Sequence, residues 1–288
     1  MDVTCIVDDA VQRSSPFWGE HGVAFLIETE DGRVLFDTGQ SGTVLMHNLG
    51  LFGVEPGTID AIAISHGHYD HTGGLPALLE HLKVDTPLYA NPDLFRERYS
   101  ERRAMASAGS TQSPEVELEP VGIGLTEHEL EAQLSLELHS GPQEIIPGVW
   151  TTGEIRERPE KEGSSSRHRM REGDDVVQDR YVDDMALILA ADHSLLVLCG
   201  CCHAGLLNTT MHAERLFEQP VEAIVGGLHL TGANGEELEH ICRALRRRPA
   251  LEHVCPNHCT GEAAFVALTN AFGSSMVHPF PVGTTLTL

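Results

Sequence analysis

The first third of the chain alternates short apolar runs with polar turns, a pattern typical of strands and helices packed in layers. Two of these runs flank Asp31-Gly32, a dipeptide that favours a two-residue hairpin turn. A helix is predicted after Gly39, and the apolar run IDAIAIS at residues 59–65 predicts a buried strand. The other elements predicted here are strands at 3–7, 22–29, 33–37 and 87–90, and helices at 74–82 and 93–105.

The middle of the chain has a less regular pattern. Residues 106–113 are small and polar and predict a loop. The segments 116–121 and 134–138 predict two strands that pair around a short helix begun by Thr126. Residues 154–180 are highly charged, interrupted by serine and glycine and without periodicity, so we expect a mobile surface loop. The alternative for this loop is a lid over a functional site.

An internal similarity appears when regular patterning returns at Asp184. RVLFDTG, a helix and IDAIAISHGH are matched by LLVLCGCCHAG, a helix and VEAIVGGLH. Two similar αβ halves, at about 1–105 and 183–288, are therefore predicted to pack face to face in a single domain, with the loops after their strands meeting at one edge. The predicted elements are strands at 185–190, 195–198, 221–225, 251–255 and in the tail, and helices at 204–217, 236–248 and 261–272.

Acidic side chains dominate the composition. The 288 residues include 43 Asp and Glu against 19 Lys and Arg, which gives a formal net charge of −24. Only Lys83 and Lys161 are lysines. Such a surface repels polyanions, so no nucleic-acid partner is expected. Because salt screens the self-repulsion, we expect a halophilic protein from a salt-rich cytoplasm; the alternative is an ordinary acidic cytoplasmic protein.

The sequence contains neither the pattern of a membrane span nor that of a secretory signal. No apolar run reaches the roughly 18 residues of a spanning helix, and the first ten residues, MDVTCIVDDA, carry acid rather than a basic region. We therefore expect a cytoplasmic protein without a membrane partner. The seven cysteines need not form a disulfide framework in that compartment.

The stretch SHGHYDHTGG at residues 65–74 concentrates side chains of the metal-ligand type. His66 and His68 are two positions apart at the end of a predicted strand, so both can face the same way. Asp70 and His71 follow where the chain turns into a helix. Imidazole and carboxylate groups suit Zn²⁺ and similar divalent transition metals, so this spacing indicates a metal site.

This motif, together with the DTG motif at residues 37–39, resembles the signature of the metallo-β-lactamase superfamily. The resemblance covers most of the chain. It implies an α/β fold, a four-layer αβ/βα sandwich with one or two metal ions between the sheets. It also implies that His66, His68 and a later histidine bind one ion, while Asp70, His71 and another later histidine bind a second.

The chain departs from the superfamily pattern where the later ligands are expected. That pattern supplies a histidine, then a bridging aspartate in Gly-Asp after a strand, then a final histidine. Here the strand LLVLCG leads into Cys201-Cys202-His203, so the bridging aspartate is absent. Asp183 and Asp184 stand where the earlier histidine is expected. We therefore expect His203 to be a ligand; the alternative is a histidine that caps the following helix.

Two more histidines end predicted strands. We expect His258 in NHCTG to be the last ligand, because HCTG opens a helix much as the final superfamily histidine does. His229 in GGLHL is either a ligand or a substrate-side group. Thiolate coordination by Cys201, Cys202 or Cys259 stays open, the alternative for each cysteine being a small buried hydrophobe.

Several motifs together narrow the resemblance to one branch of the superfamily. They resemble the branch labelled ribofuranosylaminobenzene-phosphate dihydropterin synthase, which is linked to the assembly of methanopterin-type cofactors. This resemblance implies transferase activity on phosphate-bearing pterin and aminobenzene partners. The motifs are SHGHYDHTGG, PGVWTTGEI, GCCHAG, GGLHL and HCTG.

The predicted chemistry is metal-dependent hydrolysis or group transfer on a small-molecule substrate. A metal of this kind, one or two Zn²⁺ or another divalent transition metal, lowers the pKa of bound water and polarises a substrate oxygen. Asp70 is the expected catalytic residue, binding metal and orienting that water. Asp37 is expected to support a ligating imidazole by a hydrogen bond; the alternative is that it only forms the turn before Thr-Gly.

Two rival functions stay open. One is a metallo-nuclease or phosphodiesterase, although the net charge of −24 and the lack of a basic stripe argue against nucleic acid. Basic residues do cluster at 96–103 and 243–248. The other is a non-catalytic metal or ligand sensor that uses the Cys/His clusters.

The acidic surface predicts that salt stabilises the protein. Because screening reduces the repulsion between carboxylates, the melting temperature should be higher in molar KCl than in low KCl. Thermal melts at both concentrations measure this difference, and an unchanged melting temperature would contradict the halophilic interpretation.

Overall fold

The computed structural model describes residues 1–103 and 116–287. The strands are β1 Asp2–Val7, β2 Ala24–Thr29, β3 Gly32–Phe36, β4 Ala61–Ala63, β5 Thr86–Ala90, β6 Arg98–Arg103, β7 Val116–Pro120, β8 Leu134–Leu138, β9 Glu144–Ile146, β10 Val149–Thr151, β11 His168–Glu172, β12 Asp175–Gln178, β13 Ala186–Ala190, β14 Leu195–Cys199, β15 Val221–Gly227, β16 His253–Asn257 and β17 Thr285–Thr287. The α-helices are α1 Gly42–Leu51, α2 Tyr69–Thr72, α3 Leu75–Leu79, α4 Glu127–Glu131, α5 Leu206–Phe217, α6 Gly235–Leu245 and α7 Glu262–Phe272.

Two large sheets pack face to face and are covered by helices on their outer sides. One sheet has the order β17-β1-β2-β3-β4-β5-β8 and the other β16-β15-β14-β13-β10-β9. Successive residues of β2 point to opposite faces: Phe25 packs between the sheets, whereas Leu26 packs under α1 and α3. Side chains of α5, α6 and α7 cover the second sheet in the same way. The four-layer αβ/βα sandwich expected from the sequence is confirmed.

The two halves carry the same order of strand pairing. In the first, the hairpin β2–β3 is followed by the parallel strands β4 and β5. In the second, the hairpin β13–β14 is followed by the parallel strands β15 and β16. The loops that leave β4, β14, β15 and β16 carry the candidate ligand residues, so this repeat determines where they lie.

The middle of the chain differs from the sequence prediction. Instead of a helix over 93–105, the structure has a short 3-10 turn at Pro92–Phe95 and then strand β6; residues 104 and 105 lie outside the described residues. β7 pairs with β6 rather than with β8, which instead extends the first large sheet parallel to β5. The predicted loop at 106–113 also lies outside the described residues. The predicted helix begun by Thr126 is confirmed as α4.

The segment expected to be a mobile loop, residues 154–180, contains the hairpin β11–β12. It joins β6 and β7 in a third sheet of order β12-β11-β6-β7. Its charges are paired across the strands: Arg169 with Glu101 at 2.8 Å and Arg171 with Glu97 at 2.6 Å. Because opposite charges face each other, a charged segment forms strands that its composition did not predict.

A buried arginine attaches this third sheet to the rest of the fold. The side chain of Arg98, at the start of β6, is fully buried and pairs with Asp183 at 2.7 Å and Asp179 at 3.2 Å. The other oxygen of Asp183 accepts a hydrogen bond of 2.7 Å from the amide of Gly67, inside the His66–His71 segment. The third sheet is therefore connected, through Arg98 and Asp183, to the loop that carries the first histidines.

Among the described residues, no helix combines the length and the apolar character that crossing a membrane requires.

Replacing Arg98 with alanine should destabilise the fold strongly. The change leaves buried carboxylates without their cation, an effect of about 3–5 kcal/mol in the free energy of unfolding. Urea unfolding measures it. Arg102→Ala on the same strand is the matched control, because the exposed Arg102–Glu119 pair should contribute less than about 1 kcal/mol. Equal stability of the two variants would contradict the anchoring role of Arg98.

Candidate metal centre

Three histidines from both halves form a first group of ligand atoms. The chain leaves β4 and presents His66 Nε2 at 2.9 Å from His68 Nδ1, with both side chains buried. The ring of His203, from the loop after β14, packs edge-on against both, with centroids 4.7 Å and 5.2 Å away. One ligand atom from each of the three residues lies within 4.8 Å of the others.

A second group lies beside the first. Asp70 and His71 come from α2, and His258 follows β16 in the opposite half. Asp70 Oδ2 is 3.6 Å from His71 Nε2 and 3.5 Å from His258 Nε2. The structure thus brings together the six residues that the sequence singled out as candidate ligands, three in each group.

Cys201 lies between the two groups. Its Sγ is 3.2 Å from His71 Nε2, and it belongs to one cluster with His66 and His71 and to another with His258 and Cys259. A sulfur atom therefore occupies the region between the two groups in this chain, which lacks the bridging aspartate. Cys202 turns away and contacts the hydroxyl of Thr209 at 3.3 Å.

The carboxylate of Asp37 connects the ends of β3 and β4 with α2. Oδ1 accepts a hydrogen bond from the Ser65 amide, and Oδ2 accepts from the Ser65 hydroxyl and from His71 Nδ1, each at 2.7 Å. The Ser65 oxygen in turn lies 2.9 Å from His66 Nδ1. Because the Ser65 hydrogen is donated to Asp37, His66 carries its proton on Nδ1. The Nε2 atoms of His66 and His71 are thereby left to face the other ligand atoms.

Gly200, just before the cysteines, allows the second half to approach this network. A Cβ there would lie 2.3 Å from Ser65 Oγ and 2.6 Å from Asp37 Oδ2. Any side chain at this position would therefore push Asp37 and Ser65 off the imidazoles that they orient.

Backbone groups orient the ligands of the second half. His203 Nδ1 donates to the carbonyl of Gly163 at 3.0 Å, and its ring stacks on Tyr181 with centroids 4.1 Å apart. Asp184 accepts from the amide of Ala204 at 2.7 Å. The two aspartates at the position of the expected histidine thus hold loops: Asp183 supports the His66–His71 segment and Asp184 the loop of His203.

Burial sets the protonation of the first group. It lowers the pKa of His66, His68 and His203 well below the ordinary histidine value, so these rings stay neutral near pH 7. Burial alone would raise the pKa of Asp70, but the nearby His71 and His258 rings hold it below its usual range. The first group therefore offers neutral imidazoles. In the second group burial disfavours a charge on His71 and His258, but Asp37 and Asp70 raise the pKa of His71, and Cys259, Asp70 and Asp9 raise the pKa of His258 well above the ordinary value. The second group thus combines an ionised carboxylate with imidazoles that favour the protonated form, and a metal ion would displace those protons.

The unpaired buried atoms fit a metal ion. The Nε2 atoms of His203 and His258 are buried without a hydrogen-bond partner among the described residues. Buried polar atoms without a partner are rare and costly in proteins. Imidazole, carboxylate and thiolate donors together match Zn²⁺ and related transition metals.

Several of these residues have an unusual backbone conformation. Asp37, Tyr181, Cys202, His229 and His258 all have positive φ values, between 45° and 63°, which side-chain-bearing residues seldom adopt. Their concentration around the two ligand groups is typical of functional sites, where the surrounding structure maintains local strain.

His229 lies beside the ligand groups but in none of them. Its ring centroid is 4.3 Å from that of His203, and the residue lines the cavity outside the centre. Whether His229 contacts substrate stays a prediction.

Sequence reasoning missed three further residues of the site. His168 Nδ1 contacts the Tyr181 hydroxyl at 2.8 Å; His168 comes from the segment interpreted as a loop, and Tyr181 follows directly after it. His21 lies 3.3 Å from Asp70 Oδ2 and is held on its other nitrogen by Asp9. No periodicity or motif marks these positions, because only the tertiary fold brings them to the centre.

Two adjoining cavities open over the ligand groups. One, of about 600 Å³, is lined by His68, Asp70, Cys201, His203 and His258 among others. The other, of about 810 Å³, extends from it between α5, α6 and the segment 160–168. The centre is therefore accessible to a molecule of substantial size.

Known proteins resemble this chain in sequence. The model of the metallo-β-lactamase superfamily matches residues 18–148. The chain is 29% identical over 266 residues to the 7,8-dihydropterin-6-methyl-4-(β-D-ribofuranosyl)-aminobenzene-5′-phosphate synthase of Methanocaldococcus jannaschii, covering 89% of this chain and 86% of that protein. An exodeoxyribonuclease, WalJ of Streptococcus pneumoniae, is 37% identical over 73 residues, 25% of this chain and 26% of that protein.

Solved structures extend the likeness over the whole length. The crystal structure of a metal-dependent hydrolase of the β-lactamase superfamily superposes with a TM-score of 0.81 and 25% identity, over 100% of this chain and 99% of the other. The family model, the full-length structural likeness and the SHGHYDHTGG motif agree: the chain has the metallo-β-lactamase fold, and its residues 18–148 resemble that superfamily in sequence.

Proposed function

We propose that this protein is a metal-dependent enzyme that hydrolyses or transfers a group of a small, phosphate-bearing substrate. The observation that carries the proposal is the convergence of two groups of buried ligand atoms, with a cysteine between them, on the wall of an open cavity. The Methanocaldococcus relative is named as the synthase of a phosphate-bearing compound with pterin and aminobenzene parts. This name supports the substrate class.

In this proposal, His66, His68 and His203 hold one ion, and Asp70, His71 and His258 hold a second. Zn²⁺ suits these donors, and other divalent transition metals share the same ligands. When bound, such an ion supplies Lewis-acid polarisation and lowers the pKa of water. Cys201 lies close enough to both groups to add a thiolate.

The chain's own residues orient the ligands and the substrate. Asp37 and the Gly163 carbonyl accept the Nδ1 hydrogens of His71 and His203, which directs the Nε2 atoms of both rings to the centre. Asp70 lies between His71 and His258 on the cavity wall. There its carboxylate binds metal and orients the attacking nucleophile, which makes it the proposed catalytic residue.

The two rival functions have less support. The exodeoxyribonuclease relative matches only a quarter of this chain, and the net charge of −24 disfavours a polyanionic substrate. A pure sensor would not need the continuous cavities that lead to the ligand groups. Catalytic turnover separates a sensor from an enzyme.

The ligand assignment predicts how much metal the purified protein carries. Elemental analysis of protein prepared without added metal should find bound transition metal. His203→Ala and His258→Ala should each lower the stoichiometry, because each removes one ligand from a different group. His128→Ala, an exposed histidine on α4, should leave it unchanged. Wild-type stoichiometry in both ligand variants would refute the assignment.

The catalytic assignment predicts turnover that depends on Asp70. Wild-type protein should hydrolyse a generic phosphoester or lactone, and Asp70→Asn should slow the reaction by about 100-fold or more. Initial rates measured before and after chelation supply the test, with the exposed Asp31→Asn as the control variant. Failure of the metal-loaded wild type to turn over any of these substrates would favour the sensor instead.

A further inference from the structure

The two cavities share four lining residues, His21, Arg167, His168 and His229. All four side chains carry ring or guanidinium nitrogens, and none carries a carboxylate. We refer to these four residues as the junction of the two cavities. In a chain with a net charge of −24, this cluster places nitrogen-bearing side chains, one of them the permanent cation Arg167, beside the candidate metal centre.

Arg167 is the fixed charge of this junction, and it is uncommitted. The other lysine and arginine side chains of the two cavities are paired, Arg102 with Glu119 and Lys161 with Glu237. Across residues 1–103 and 116–287, the guanidinium of Arg167 has neither an ion pair nor a hydrogen bond to another residue, and the side chain is exposed. It is therefore free to bind an anion.

The backbone around Arg167 is held in place. Its carbonyl accepts a hydrogen bond of 2.9 Å from the amide of Glu101 in β6. Two residues earlier, the amide of Ser165 donates to the Tyr181 hydroxyl at 3.1 Å, and the Ser165 carbonyl accepts from Gln178 at 2.8 Å. The position of Arg167 at the junction is thus set by the third sheet, and only its side chain needs to be ordered on binding.

Beyond the junction, the larger cavity has an apolar side suited to an organic group. Its lining includes Leu206, Leu207, Leu228, Leu230 and Ile241. The charged residues along its rim are mostly engaged with one another, as in His240–Glu160 at 2.7 Å. A ligand with an anionic end and an apolar body could place its anionic end at Arg167 and its body against these apolar side chains.

We propose that the junction binds the phosphate of the substrate, with Arg167 as the cation that recognises it and the larger cavity as the site of the organic body. Guanidinium and phosphate form paired, charge-assisted hydrogen bonds. Because the rest of the surface repels anions, a specific cation is needed to hold one beside the centre. This inference rests on the proposed function and names the residue that selects its substrate class.

Calorimetric titration of the zinc-loaded protein with inorganic phosphate tests the proposal. Arg167→Ala should weaken phosphate binding by about tenfold or more, the size expected for a lost charge-assisted contact. Arg167→Lys should recover part of the affinity, because it keeps the charge but not the paired geometry. Arg247→Ala, an exposed arginine outside both cavities, should bind phosphate as the wild type does.

Titration with acetate and analysis of the zinc content distinguish the possible outcomes. Phosphate should bind the wild type more tightly than acetate does. Equal affinities would overturn the proposal that the site recognises phosphate and would favour a carboxylate ligand. Unchanged phosphate affinity in Arg167→Ala, with normal zinc content, would overturn the role of Arg167 and leave the proposed function standing. Absence of zinc from the wild type would instead count against the proposed function itself.

Discussion

The hydrogen bonds of the buried Asp37 carboxylate are the interaction on which the candidate centre depends most. They join the end of β3 to the end of β4 through Ser65, and both to α2 through His71. A buried carboxylate is tolerated only when its oxygens are satisfied, and here three donors satisfy them. The same bonds determine which nitrogen of His66 and of His71 is left to bind.

The second half meets this network with little freedom. Gly200 has no room for a Cβ beside Asp37, so the backbone before Cys201 is fixed against the first half. Asp183 and Asp184 hold the loops on either side of the interface, and Arg98 links the former to the third sheet. Asp183 and Asp184, which stand where the superfamily pattern has a histidine, thus support the ligand loops by accepting hydrogen bonds from backbone amides.

The sequence predicted the elements and ligand positions that depend on local pattern. It did not predict the strands that form through long-range pairing. Buried strands such as β4 and β14 appear in the sequence as apolar runs. The ligand residues around His66 appear as a fixed spacing of histidine and aspartate. β6 and β11 were misread because their charges are neutralised across strands, which one segment cannot reveal. The same limit concealed His168, which reaches the site through the third sheet.

The candidate centre requires metal bound between the two sheets, and anomalous diffraction from crystals grown with Zn²⁺ tests this most directly. Peaks are expected among His66, His68 and His203 and among Asp70, His71 and His258. Data collected above and below the zinc absorption edge identify the element at each peak. Absence of a peak from both positions, in crystals that contain zinc elsewhere, would contradict the proposed metal centre.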